Sequence, residues 1–192
     1  MTKNYGSQSM VAPLQTVLVK RPSHAFGSAD PEKWHYVESG RSCPQPKTNT
    51  MPRHNLLRAE GIEVVYHDVE LPDHADAIFV HDPSIVTNDG AIILQMGKDL
   101  RRGEEGASTA VYQKLGIPIH YQLHGEARAE GGDLLWLDEK TLAVGQGFRT
   151  NAAGLAQLRS RARRRRNHPR AAAVLRRRSG LPTFDVVHQR GG

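Results

Sequence analysis

One order of secondary-structure elements recurs along the sequence, and this repeat limits the possible folds more than any other feature. Two apolar β runs, "AIFVHDPSIV" and "GAIILQM", are joined by "TNDG", in which Asn88-Asp89-Gly90 is typical of a tight hairpin. "GASTAVYQKLG" then predicts a short helix that ends at Gly116, and the alternation in "IPIHYQL" predicts a strand. Residues 77–123 therefore predict one complete ββαβ unit.

A second copy begins at residue 133 but is cut short. "DLLWLDEKTLAVG" predicts a hairpin that turns at residues 138–140. "TNAAGLAQLR" predicts a helix whose N-cap is Thr150 or Asn151. The strand that should complete the unit is not evident, so this copy covers residues 133–158.

A third, degraded copy occupies residues 14–70. "LQTVLVKRP" and "IEVVYHDVE" predict strands, and "LLRAEG" predicts a last helical turn closed by Gly61. The prolines in "GRSCPQPKTNTMPRHN" exclude a regular helix between them. Small repeated units need neighbours to cover their apolar faces, so the sequence predicts an α/β assembly of stacked modules.

The positive charge of the chain belongs entirely to its C-terminal segment. Residues 159–192 contain 11 Arg, no Lys and one acid, which gives 11 − 1 = +10, whereas residues 1–158 hold 15 basic and 19 acidic residues, or −4. We therefore predict a domain at 1–158 and a disordered Arg-rich tail at 159–192. The tail predicts non-specific binding to polyanions with a steep salt dependence. Its Arg-, Ala- and Gly-rich composition also fits out-of-frame translation from about residue 159.

The remaining composition bears on compartment and on metal chemistry. A single cysteine, Cys43, excludes an internal disulfide, and neither an apolar leader nor a membrane-spanning run is present, so we expect a cytoplasmic protein without a membrane partner. Acids and histidines crowd between residues 67 and 82, but no HxH or HExxH spacing occurs there. A metal site is therefore not favoured.

Acids and arginines gather at the predicted strand ends. Asp76 and Asp82 flank an apolar run, Glu130 precedes two glycines, and Arg101 and Arg149 hold equivalent places after the two hairpins. Carboxylates bind a guanidinium through paired hydrogen bonds, and an arginine binds a carboxylate in the same way. The pattern predicts a pocket for a charged, planar substrate. Purely structural roles remain open for each residue, such as a turn cap for Asp76 or an ion pair between Arg149 and Glu130.

In order and spacing, the motifs "DAIFVHDPS", "RRGE", "EGGD" and "RTNAAG" resemble the guanidino-group-modifying superfamily. It includes amidinotransferases, arginine deiminases and, with the greatest similarity, dimethylarginine dimethylaminohydrolases. The resemblance covers most of residues 14–158. It implies a five-bladed α/β propeller (the pentein fold) of ββαβ modules around a central active site. This chain would supply an incomplete propeller of a little under three modules, with uncovered strand edges that favour self-association.

The resemblance also assigns roles to the five residues. Asp76 and Asp82 would bind the guanidinium of an arginine-like small molecule, Arg101 and Arg149 would bind its α-amino-acid end, and Glu130 would be the catalytic residue that holds the substrate and orients a histidine. No cofactor is implied. In the family a cysteine thiolate attacks the guanidino carbon, and the histidine protonates the leaving amine.

The sequence departs from the family where that chemistry is performed. His168 and His188 lie in the basic tail, Cys43 lies at the opposite end of the chain, and His81 stands where dimethylaminohydrolases can carry an acid. We therefore expect a family activity at the guanidino carbon of arginine or methylarginine, in a chain truncated before its catalytic histidine and cysteine and inactive alone. The alternative is a non-catalytic protein that binds nucleic acid through its tail.

Overall fold

The structure, a computed structural model, describes residues 5–35, 52–163, 172–178 and 181–185. These ranges form a mixed α/β fold with three sheets. Its helices are α1 His24–Gly27, α2 Pro31–Trp34, α3 Pro52–Ala59, α4 Glu104–Lys114 and α5 Ala152–Arg163. Its strands are β1 Thr16–Val19, β2 Glu63–Tyr66, β3 Ser84–Thr87, β4 Gly90–Ile93, β5 Ile119–Gln122, β6 Leu134–Asp138, β7 Thr141–Gln146, β8 Ala172–Arg178 and β9 Leu181–Asp185.

The complete ββαβ unit is confirmed, with one correction at its start. β3 and β4 form the antiparallel hairpin, α4 follows, and β5 pairs parallel with β4. The apolar run from residue 77 was predicted as strand, but Ala75–Ile78 is a 3-10 helix and β3 begins only at Ser84. Short-range hydrogen bonds from Phe79 N to Asp76 O and from Asp82 N to Phe79 O hold this stretch in turns. Apolar composition alone does not reveal such bonds.

The second copy is longer than the sequence indicated. β6 and β7 form the predicted hairpin, and α5 begins after Asn151, whose side chain accepts a hydrogen bond from Gly154 N at 2.8 Å and so serves as the N-cap. β8 pairs parallel with β7, and β9 continues the sheet as β6-β7-β8-β9. The fourth strand, predicted to be missing, is therefore present, and the two tail ranges 172–178 and 181–185 are strands rather than disordered chain. Polyanion binding by the tail stays a prediction, because most of the tail side chains lie outside the described residues.

The first copy keeps only a parallel pair of strands, and the described residues between them form the short helices α1 and α2 and the longer α3. β1 and β2 pair in register from Thr16 with Glu63 to Val19 with Tyr66. Between them α3 is longer than the single turn predicted, and Gly61, with φ +76°, follows it in the left-handed conformation that glycine adopts readily. Pro52 opens α3, where its missing N–H has no cost. Residues 36–51, which contain Cys43, lie outside the described residues.

Strand β4 is buried on both faces and separates two cores. Its Ile92, together with Leu94 just beyond it, faces a core shared with β6, β7 and α5. Ala91 and Ile93 face Tyr112 of α4 and Leu18 of β1. This explains the uninterrupted apolar run of β4, because a strand covered on both sides has no polar face.

The N-terminal segment connects the two hairpins. Gln8 is buried, its Nε2 donates to Glu139 O at 2.8 Å, and its Oε1 accepts from Asn88 N at 2.8 Å. Glu139 lies in the turn between β6 and β7, and Asn88 lies in the turn between β3 and β4. One side chain therefore ties together the turns of two successive modules.

Among the described residues, every helix is too short or too polar to span a membrane.

The edge strand β6 points apolar side chains to solvent. Leu135 and Leu137 are 44% and 50% exposed, whereas Trp136 between them packs against the core. Self-association through such edges stays a prediction.

We predict that Gln8→Ala destabilises the protein. Loss of two buried hydrogen bonds to backbone groups should lower the free energy of unfolding by about 1–2 kcal/mol. Chemical denaturation of the full chain measures the change. Gln113→Ala, on the exposed face of α4, is the control and should have almost no effect. Equal stabilities for the two variants would contradict a connecting role for Gln8.

Candidate functional site

Four of the five predicted site residues lie at one end of two neighbouring hairpins. Arg101 and Arg149 follow β4 and β7, whereas Asp82 and Glu130 precede β3 and β6. Because the strands of each hairpin are antiparallel, the start of one lies beside the end of the other. Asp76 lies further upstream, in the 3-10 helix before β3. The topology therefore brings Asp82, Arg101, Glu130 and Arg149 to the same end of the two hairpins.

Arg101 is buried and is shared by two carboxylates. Its Nε and Nη2 donate to the two oxygens of Glu104 at 2.9 and 2.7 Å, and its Nη1 donates to Asp82 Oδ2. Nη2 also donates to Phe79 O at 3.1 Å. Two acids with one cation leave this triad with a net charge of −1. Asp82 is the outward-facing member, with 20% of its side chain exposed against 2% for Glu104.

Burial and pairing act in opposite directions on the protonation of this triad. Burial alone would lower the pKa of Arg101, but its hydrogen bonds and charge interactions with Glu104 and Asp82 outweigh burial and raise that pKa above its usual value. Burial raises the pKa of Glu104, and Arg101 opposes that effect. Arg101 is thus a permanent cation that holds Asp82 in place.

Glu130 is held mainly by the backbone. Its Oε1 accepts from Gly97 N and Lys98 N, both at 2.9 Å, and its Oε2 accepts from Arg149 Nη1 at 2.7 Å. The Glu130 side chain is 6% exposed, whereas that of Arg149 is 43% exposed. A carboxylate has about four acceptor positions, so the three bonds fix Glu130 and leave about one position on Oε2. Arg149 is the exposed member of this pair.

Two glycines allow the strand ends to approach closely. A Cβ on Gly131 would lie 2.1 Å from His81 O, and a Cβ on Gly97 would lie 2.6 Å from the Arg149 backbone. Gly131 N donates to Asp82 O at 2.9 Å, and Gly132 N donates to Asp82 Oδ1 at 3.2 Å. The "EGGD" motif therefore supports Asp82 directly, because only a residue without a side chain fits against residue 81.

Asp76 is paired with a cation that the sequence did not single out. Lys98 Nζ donates to Asp76 Oδ2 at 2.6 Å, and the two side chains are 12% and 10% exposed. The same ammonium donates to Trp34 O at 3.2 Å and lies 4.7 Å from the centre of the Trp34 ring. Trp34 is buried, and its ring packs beside the Lys98 ammonium.

The structure thus joins the predicted residues in pairs. Asp82 contacts Arg101, Glu130 contacts Arg149, and Asp76 contacts Lys98. Sequence reasoning missed Glu104 and Lys98. Glu104 had a usable signal, because it lies three residues after Arg101 in "RRGE" at the start of a helix. Lys98 had none, since a lysine after a glycine at a strand end is ordinary surface sequence.

Lys20 and His67 form a basic pair just beyond the ends of β1 and β2. Lys20 Nζ donates to Val69 O at 2.6 Å and lies 3.3 Å from His67 Nδ1. Burial lowers the pKa of Lys20, although the acids around it oppose that effect. Burial, and then the charge of Lys20, lower the pKa of His67. His67 is therefore held in its neutral form.

The described part of the chain offers no cluster of metal ligands. Within it, no three histidine, cysteine or acidic side chains lie close enough to hold a metal ion. Cys43, His168 and His188 fall outside the described residues.

Comparison with known protein families gives a consistent match. Residues 27–176 match the family model described as arginine deiminase. N(G),N(G)-dimethylarginine dimethylaminohydrolase of Streptomyces coelicolor is 31% identical over 150 residues, which are 77% of this chain and 55% of that protein. The protein of the same name from Pseudomonas aeruginosa is 30% identical over 83 residues, 43% of this chain and 32% of that protein. This chain therefore spans about half of the first relative and a third of the second.

Solved structures agree with this family in fold. A mutant of the Pseudomonas aeruginosa dimethylarginine dimethylaminohydrolase complexed with citrulline superposes with a TM-score of 0.65 at 21% identity, covering 88% of this chain and 63% of that chain. The apo arginine dihydrolase ArgZ from cyanobacteria superposes with a TM-score of 0.64 at 19% identity, covering 84% and 24%. The predicted resemblance and the α/β class of the fold are confirmed. The family match continues past the predicted domain boundary at residue 158.

We predict that Arg101→Met is strongly destabilising. It would leave the buried Glu104 carboxylate without its cation, at a cost of about 3–5 kcal/mol. The double variant Arg101→Met/Glu104→Leu removes the buried charge as well and should regain much of that loss. Denaturant unfolding of the three proteins measures both changes. Arg102→Met, in an exposed ion pair with Asp99, is the control and should cost about 1 kcal/mol or less. A double variant no more stable than Arg101→Met would contradict this account.

We predict that His67 makes the fold sensitive to acid. Its pKa is lowered from the ordinary value of 6.5, so its stabilising contribution is present above pH 6.5 and is lost as the pH falls from there through the pKa of the folded state. Thermal unfolding at about pH 7.5 and about pH 5.5 should show a smaller loss for His67→Gln than for the unsubstituted chain. His120→Gln, at an exposed position of β5, is the control. Identical losses in all three proteins would disprove the effect.

Proposed function

This chain belongs to the arginine deiminase family, and from that membership we propose that it acts at the guanidino group of arginine or a methylarginine. In such a reaction a thiolate attacks the guanidino carbon, and an acid delivers a proton to the amine that leaves. Both hydrolysis and transfer to an acceptor amine proceed from that attack. The proposal concerns first the binding of the guanidinium, which the strand-end residues can perform by themselves.

The observation that supports the proposal best is the charge of the Arg101 triad. Asp82 and Glu104 share one guanidinium, so one negative charge remains, and Asp82 presents it at the more exposed position. In a partly buried site a negative charge attracts a cation more strongly than in water, because the effective dielectric constant is lower. A planar guanidinium that hydrogen-bonds to Asp82 would neutralise the triad.

The other residues take roles consistent with their exposure. Arg149, 43% exposed and bound to Glu130 through Nη1, is the residue suited to bind the substrate carboxylate. Arg101, 2% exposed, is better suited to position Asp82 than to contact a substrate, and we revise its predicted role accordingly. Glu130, with an acceptor position left on Oε2, is suited to hold the substrate and to orient a histidine.

The reaction also needs an attacking thiolate and a proton-donating imidazole, and we assign neither role to a residue of this chain. Cys43 is the single cysteine of the sequence. We therefore propose that these 192 residues bind a guanidino compound without turning it over. Release of citrulline from arginine or dimethylarginine that is abolished by Cys43→Ala would contradict this part of the proposal.

We predict that Asp82→Asn weakens the binding of L-arginine. Loss of one charge-assisted hydrogen bond, worth about 1.5–3 kcal/mol, corresponds to a dissociation constant about 10- to 150-fold higher. Isothermal titration calorimetry on the full chain measures it, with thermal unfolding as a check on folding. Citrulline, which has the same shape but no positive charge, should bind the unsubstituted protein less tightly than arginine.

The control is Asp99→Asn, because Asp99 is 81% exposed and pairs only with Arg102 among the described ion pairs. It should leave arginine affinity unchanged. Equal affinities of the unsubstituted protein and Asp82→Asn, or equal binding of citrulline and arginine, would refute guanidinium recognition at Asp82.

A further inference from the structure

The ammonium of Lys98 is paired with Asp76, one of the two carboxylates that the family resemblance assigns to a substrate guanidinium. Nζ lies 2.6 Å from Asp76 Oδ2, and both side chains are about nine-tenths buried. Water and salt screen such a pair much less than a surface pair. A ligand cation that binds Asp76 must therefore displace this ammonium or share the carboxylate with it.

The backbone of Lys98 is fixed, so only its side chain is free to adjust. Lys98 N donates to Glu130 Oε1, as does Gly97 N, and these bonds hold the backbone at Lys98 against Glu130. One residue thus connects the two acids, with its amide on Glu130 and its ammonium on Asp76. A change at Asp76 requires rotation of the side chain and no movement of the loop.

Trp34 would remain a binding partner of the Lys98 ammonium after its displacement from Asp76. Lys98 Nζ already donates to Trp34 O at 3.2 Å and lies 4.7 Å from the ring centre, within the range of a cation–π interaction. An ammonium that left Asp76 would keep both of these partners. Displacement therefore breaks the ion pair between Lys98 and Asp76 but leaves the ammonium with its contacts to Trp34.

Building on the proposed function, we propose that Lys98 is a specificity-determining residue, an internal cation that a ligand must displace from Asp76 towards Trp34. A guanidinium forms two parallel hydrogen bonds with a carboxylate, whereas an ammonium presents a single point charge. An arginine-like ligand gains a bond by replacing Lys98. A ligand that ends in an ammonium, such as L-lysine, replaces one ammonium at Asp76 with another and gains no bond. Lys98 thus selects guanidinium over ammonium.

The test compares L-arginine and L-lysine binding to the full chain and to Lys98→Met and Lys98→Gln, by calorimetry. If Asp76 is free of Lys98 in about one molecule in ten, removal of the ammonium lowers the apparent dissociation constant of arginine about tenfold. Both variants should also bind L-lysine, which the unsubstituted protein should exclude. Lys140→Met, at an exposed position in the turn between β6 and β7, is the matched control and should change neither affinity.

The other possible binding results separate the role of Lys98 from the proposed function. Arginine affinity that is unchanged or weaker in the variants, with binding to the unsubstituted protein intact, overturns the role of Lys98 and leaves the proposed function standing. Absence of arginine binding in all the proteins overturns both. Binding by the variants alone supports Lys98 as the residue that blocks Asp76.

A measurement on the unsubstituted chain decides the matter if neither variant folds. Titration with L-arginine should shift the nuclear magnetic resonance signal of the Lys98 side chain and leave that of Lys140 in place. Arginine binding without any shift at Lys98 overturns the proposal.

Discussion

The Arg101 guanidinium holds two acids from different elements, and the strand-end cluster depends on this shared cation. Glu104 opens α4, and Asp82 precedes β3, so Arg101 ties the helix to the start of the hairpin. Burial disfavours the ionised form of Glu104, and the paired Arg101 opposes that effect. Glu104 thus fixes Arg101, and Arg101 in turn fixes Asp82 with one negative charge in excess.

Backbone groups do as much as side chains to place the remaining acid. Glu130 accepts from the amides of Gly97 and Lys98, and the glycines of "EGGD" turn their N–H groups towards Asp82. Amides at fixed positions lose no side-chain entropy when they bind a carboxylate, so they hold it in one orientation. The site therefore lies where the backbone of the β3-β4-β5 sheet contacts the segment leading into β6, next to the bridge between Gln95 and Ala129.

The fold was more predictable than the contacts within the site. Hairpin turns at Asn88-Asp89 and at residues 138–140, the helix stop at Gly116 and the cap at Asn151 each follow from local backbone preferences, and local preferences are written in short stretches of sequence. The 3-10 helix at Ala75–Ile78 and the strand β8 were missed. Apolar content does not separate a turn from a strand, and an Arg-rich composition concealed a strand whose pairing is with a distant segment.

The pairing of acids with bases could not be predicted from the sequence, since it depends on which side chains meet across elements. This matters for recognition, because the site already accommodates both kinds of cation. Arg101 uses its planar fork to satisfy two carboxylates and a carbonyl, whereas Lys98 offers a point charge to one carboxylate oxygen and one carbonyl. Charge alone therefore cannot distinguish ligands at these acids. What distinguishes them is the number of acceptors that a cation can satisfy at once, and by that measure a guanidinium is favoured over an ammonium.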